Sequence, residues 1–117
     1  MRPPGWPAEV ADPENTAFLD TAVRWMWEVS SLERSPASVW ARHPRALAFR
    51  VTCDLEARIE GTRRAYSQAR VALVDAGVDP EEVLRALEVE AADLQRRQRE
   101  VTLVGEALEG RRWQARL

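Results

Sequence analysis

An all-α fold is predicted, a long antiparallel helical hairpin whose open end is covered by a shorter helix. Three observations predict it. Apolar residues recur at intervals of three and four over two stretches, about 44–76 and 80–109, which is one face of a helix in each. Gly77 followed by Asp79-Pro80 separates them, a glycine suited to end one helix and a capping aspartate with proline suited to open the next. A third periodic stretch, about 13–29, carries Trp25 and Trp27.

The chain has 117 residues, 45% hydrophobic and 31% charged, the balance of one globular domain, 1–117. Residues 1–12 contain RPPGWP and read as an extended N-terminal strap. Asp12-Pro13-Glu14 is a cap-plus-proline start, after which Phe18, Ala22, Trp25, Met26 and Val29 fall on one face. Ser35-Pro36 repeats the signal and opens a short helical turn, about 36–42, which His43-Pro44 interrupts. From Pro44, the residues Val51, Leu55, Ile59, Thr62, Tyr66, Ala69 and Leu73 form a near-heptad seam. Leu84, Leu87, Ala91, Leu94, Gln98, Val101, Gly105 and Leu108 form the facing seam, and Gly110 ends that helix before a C-terminal tail, 110–117. A turn at residues 77–78 would bring Leu55 near Val101 and Leu73 near Val83.

A second apolar row, Ala46, Phe49, Cys53 and Ala57, lies opposite the first half of the Pro44 seam and fades beyond Gly61. It predicts that the Trp-rich helix packs on this open end. The other end, about 62–92, then projects as an arm with only its seam buried. Trp25 and Trp27 lie on nearly opposite sides of one helix, so burying both requires two covering layers, which the segments carrying Trp6 and Trp113 can supply. Trp6 is expected to strap its own core, because GWP lacks the PxxP spacing of a presented ligand.

Candidate chemistry is sparse. His43 precedes a proline and reads as a turn residue, and Cys53 reads as a small buried hydrophobe. One histidine and one cysteine, without CxxC or HExxH, give no zinc pattern, and no GxGxxG or GxxxxGK[ST] holds phosphate. Glu81, Glu82, Glu88, Glu90 and Asp93 lack the Glu-x-x-His spacing of di-iron bundles and read as a solvated face. No cofactor, metal or enzymatic activity is expected. All 17 basic residues are arginine, and the net charge of −2 is distributed as −3 over 1–34, +4 over 35–74, −6 over 75–109 and +3 over 110–117. A basic segment followed by an acidic one suggests internal pairing.

The expected function is that of a non-enzymatic interaction module, an adaptor or scaffold acting through helix packing on a protein partner or on itself as a homodimer. The arm residues Tyr66, Ala69, Leu73, Val83, Leu84 and Leu87 are the contact candidates. The alternative is a nucleic-acid contact through Arg111, Arg112, Trp113 and Arg116, where arginine meets phosphate and tryptophan stacks on unpaired bases. The single cysteine and the lack of a signal-like or membrane-length apolar run favour a reducing, cytoplasmic setting.

The PPGWP start, the RRWQARL end, RHPRALAFR and the Tyr66–Val71 stretch resemble a family of small helical proteins of high-GC Gram-positive bacteria. The resemblance implies a bacterial origin and brings no activity, cofactor or catalytic residue. A secreted hairpin of the WXG type is rejected, since AGVDP stands where its tryptophan-glycine turn belongs.

Overall fold

Four helices follow one another in the computed structural model, which describes residues 1–115: α1, Phe18–Val29; α2, Val39–Arg42; α3, Pro44–Ala72; and α4, Pro80–Leu108. No strand occurs among the described residues. The long pair is antiparallel. Its register is fixed where Gly105 comes against Ala48, a methyl at the glycine lying 3.8 Å from the Ala48 Cβ. Towards the turn, Tyr66 reaches Glu88 and Arg70 reaches Glu81 across the two helices. Leu47, Ala48, Val51, Leu55 and Ile59 of α3 and Leu94, Val101, Val104 and Ala107 of α4 are buried in one cluster.

α1 packs against both long helices at their open end and buries Phe18, Ala22, Trp25, Met26 and Trp27. Both tryptophans of α1 are thus covered. The N-terminal strap supplies one neighbour. Val10 is fully buried, Pro7 nearly so, and Trp6 packs on the cluster with its ring 6.0 Å from that of Phe18. The Trp6 indole N–H donates to the Val10 carbonyl at 2.9 Å, which satisfies its polar edge within the chain. Trp6 is an intramolecular strap. Leu32 of the following loop and Trp40 of α2 pack on the cluster as well.

A polar clamp closes the α1 end. Asp54, 8% exposed on α3, accepts hydrogen bonds from the Ser31 backbone N–H at 3.0 Å and from the Ser31 hydroxyl. Arg58, one turn along, lies 3.7 Å from the same carboxylate and donates to the Val29 carbonyl at 3.0 Å. Carbonyls at a helix end have no partner within the helix, and here one is met from α3.

The element ends differ from expectation in ways the local hydrogen bonds explain. α1 starts at Phe18 rather than near residue 13, because Asp12 and Asn15 each close a separate turn: Glu14 N–H bonds to the Asp12 carboxylate and Ala17 N–H to the Asn15 side chain. α2 starts at Val39 because Ser38, not Ser35, is the cap, accepting from Ala41 N–H. α3 ends at Ala72, so the connection spans residues 73–79 and is longer than the expected three-residue break. Gly77 adopts φ +72° within it rather than directly ending the helix. α4 ends as expected within one residue. Gly110 at φ +90° lets its own N–H bond to Ala107 and that of Arg111 to Glu106, the paired bonds of a glycine-terminated helix.

The second apolar row is the larger correction. α1 does not cover it: Phe49 is 66% exposed, Ala57 is exposed, and Cys53 and Ala46 are only half-buried. α1 instead ends on the side of the seam marked by Asp54 and Arg58, which bond Ser31 and the Val29 carbonyl. Sequence periodicity placed the row on one face but gave no reason for α1 to choose it over the groove between the long helices.

The radius of gyration is 17.3 Å against about 13 Å for a compact chain of this length. The difference comes from the arm beyond α1, where Ala69 and Leu84 are the buried side chains. The clamp and the strap each predict a loss of stability. Asp54→Ala, which removes the acceptor of the Ser31 N–H and hydroxyl, should lower unfolding free energy by about 1–2 kcal/mol in urea denaturation. Val10→Ala should lower it by roughly 2 kcal/mol. A change below a few tenths in either would show that the junction is not needed for folding.

Candidate functional site

The arm is the first candidate. Of its six residues nominated from the sequence, Ala69 and Leu84 are buried, and Leu73, Val83 and Leu87 are half-buried. They face one another across the seam. Only Tyr66 is substantially exposed, at 44%, and its hydroxyl donates to the Glu88 carboxylate at 3.2 Å. The apolar surface left free near the tip belongs to residues outside the seam: Val71 at 81%, Val74 at 72%, Val78 at 45% and Val89 at 71% exposed. Seam reasoning passed over them because it selects the residues that pair. The usable signal was the opposite one, a valine off the seam where a polar residue is expected.

Charge on the arm is uneven. Arg70 pairs with Glu81 at 2.6 Å across the two helices, while Arg63 pairs locally with Glu60 at 2.8 Å. Residues 75–93 hold seven acids and one arginine, so the α4 side of the tip is acidic.

The tail is the second candidate. Arg111 pairs with Glu109 at 3.2 Å, and the Arg112 guanidinium donates to the Ala107 carbonyl at 3.0 Å, so both are engaged at the end of α4. Trp113 is 38% exposed and lines a cleft of about 230 Å³ with Trp6, Pro3, Pro13 and Leu103. The tail thus folds back beside the strap. Arg116 lies outside the described residues.

A polar pocket of about 400 Å³ lies beside α1, lined by Glu9, Trp25, Arg58, Asp93 and Arg97 among others. Its two arginines are engaged. Arg97 pairs with Glu100 at 3.2 Å and with Glu9 of the strap at 3.5 Å, and Arg58 belongs to the Asp54 clamp. Trp25 is 2% exposed, and its indole N–H has no hydrogen-bond partner among the described residues. The pocket reads as the seat of the strap.

His43 is exposed at the junction of α2 and α3, where its carbonyl accepts from Leu47 N–H at 2.9 Å. Cys53 lies ten residues further, about 15 Å along the helix, so the two do not form a nucleophile–base pair. Among the described residues no three His, Cys, Asp or Glu side chains converge as a metal set, and no helix is long and apolar enough to cross a membrane.

The fold and these surfaces define a class: an all-α hairpin with a third helix packed on its open end and a projecting two-helix arm. Comparison of the chain with family models, curated proteins and solved structures gives no match.

The Tyr66–Glu88 contact makes a pH prediction. The carboxylate raises the phenol above its ordinary value, first by accepting its hydrogen bond and then by its charge. A raised folded-state value favours folding below the unfolded value of about 10, and that contribution is lost as pH rises through the folded value. Tyr66 is the only tyrosine, so its ionisation is read directly from phenolate absorbance. Glu88→Gln should move the titration midpoint down towards the ordinary value. An unchanged midpoint would remove the contact.

Proposed function

We propose that this chain is a non-enzymatic helical interaction module, a small adaptor or scaffold of the cytoplasm that presents the tip of its arm to another protein. The observation that carries the reading is the exposure of Val71, Val74, Val78 and Val89 on an arm whose own seam is already closed. A rigid helical pair that projects beyond its core and ends in free valines is suited to insertion against an apolar partner surface. The acidic α4 edge favours a partner rimmed with basic side chains. The nucleic-acid alternative through Arg111, Arg112, Trp113 and Arg116 is the weaker reading, because Arg111 and Arg112 are engaged at the end of α4. Its signature would be oligonucleotide binding that falls steeply with salt.

Affinity capture from cell lysate tests the proposal with the native chain and with a Val71→Arg/Val74→Arg double variant as baits. Both positions are exposed, so the variant should keep the native circular dichroism and melting temperature. A protein retained by the native chain should be lost from the variant. Equal retention by both would overturn the arm as the contact surface.

A further inference from the structure

The row Ala46, Phe49, Cys53 and Ala57 runs along the outer face of α3, away from both α1 and the seam. Its members are spaced 3, 4 and 4 residues apart, so they fall on one stripe of the helix. Phe49 is 66% exposed on it, the most exposed aromatic side chain among the described residues. An isolated exposed hydrophobe is ordinary; a phenylalanine in line with two alanines and a half-buried cysteine is a helix-packing stripe without a partner.

We propose that this stripe joins two copies of the chain, their α3 helices packed antiparallel about a two-fold axis passing beside Cys53. The pattern is self-complementary in that register. Phe49 falls opposite the partner's Ala57, a large side chain against a small one, and the same contact recurs on the other side of the axis. Ala46 falls opposite the partner's Glu60, and Arg45, on the same flank as Glu60, is brought beside that carboxylate. Two opposite-charge contacts result. Parallel pairing in register would instead set Phe49 against Phe49, crowding the ring, and would carry Arg45 and the partner's Glu60 to opposite flanks of the pair, so that the Arg45–Glu60 contact does not form. The antiparallel arrangement is therefore the one the stripe selects. The local Glu60–Arg63 pair is exposed on both sides and worth little, so it leaves Glu60 able to meet a second arginine.

One helix pair lies at the small end of stable interfaces, so association should be visible as a rise in mass over concentrations on the order of 10 µM to 1 mM. This inference rests on the reading of the chain as an interaction module but uses a different face. Val71→Arg/Val74→Arg should leave the dimer unchanged, and a failure of either proposal is distinguishable from failure of the other.

Sedimentation equilibrium of the full chain tests it. Phe49→Glu should leave the chain monomeric throughout, with its helical content unchanged because the side chain is exposed. Arg45→Glu should weaken association at least tenfold, and Arg45→Glu with Glu60→Arg should restore it, a rescue that a general loss of folding would not produce. Cys53 is the only cysteine, so a short bismaleimide can join two chains only through it. Covalent dimer should form with the native chain at high concentration and not with Phe49→Glu. A monomeric mass across the range, a dimer indifferent to Phe49→Glu, or a charge reversal without rescue would overturn the proposal.

Discussion

The carboxylate of Asp54 sits where α1 gives out against α3, and the arrangement of layers depends on that junction. Two helices of 29 residues that share a narrow seam bury too little to be secure alone. α1 supplies the missing surface by placing Trp25 and Met26 into the groove between them. To do so the chain must leave α1 at Ser30–Ser31 inside a partly buried environment, where backbone groups need partners. Asp54 meets the Ser31 N–H and Arg58 meets the Val29 carbonyl. A carboxylate 8% exposed is tolerated because it is hydrogen-bonded and paired, and its removal would take the α3 acceptor from the Ser31 N–H and hydroxyl while Arg58 keeps the Val29 carbonyl.

Charge plays a smaller part in the hairpin than its distribution suggests. The basic 35–74 segment and the acidic 75–109 segment meet directly in one cross-helix ion pair among the described residues, Arg70 with Glu81. Arg63–Glu60, Arg96–Asp93 and Arg97–Glu100 are local pairs within a helix, three residues apart. The first two are exposed pairs of a kind that contributes a few tenths of a kcal/mol each, while Arg97–Glu100 is half-buried. Register is set by the apolar seam and by the close approach of Gly105 to Ala48. The unpaired acids of α4 are consequently left as a charged edge of the arm.

The two long helices were legible in the sequence because period and a proline at the first turn agree in both, and in α4 a capping aspartate and a terminal glycine agree with them as well. Trp6 was legible as a strap for a similar reason, its short tether to α1. Helix starts at Phe18 and Val39 were less so, since Asp12 and Asn15 each close a separate turn before α1 and Ser38 competes with the earlier Ser35 for the capping role, and spacing alone does not rank them. Asp54 was missed because a lone acid beside a seam looks solvated until its partner, 23 residues away, is placed next to it. Most of the nominated arm residues turn into the seam for a related reason. Periodicity finds what a helix buries, whereas a surface for a partner is what folding leaves exposed.

That distinction separates the chain's surfaces by role. The seam and the α1 groove are closed by the chain itself, while the tip valines and the Phe49 stripe remain outside, at opposite ends of α3. Residue 53 and the end of the arm are about twenty residues apart, so in an antiparallel pair centred on Cys53 each tip would extend roughly 30 Å from the axis, in opposite directions. The two tips of such a pair would then be held about 60 Å apart by continuous helix rather than by flexible linker. Two weak contacts on a rigid spacer reinforce each other only when the target presents sites at a matching distance. An assembly of this shape would discriminate between partners by spacing as well as by surface chemistry, a property neither the arm nor the stripe has alone.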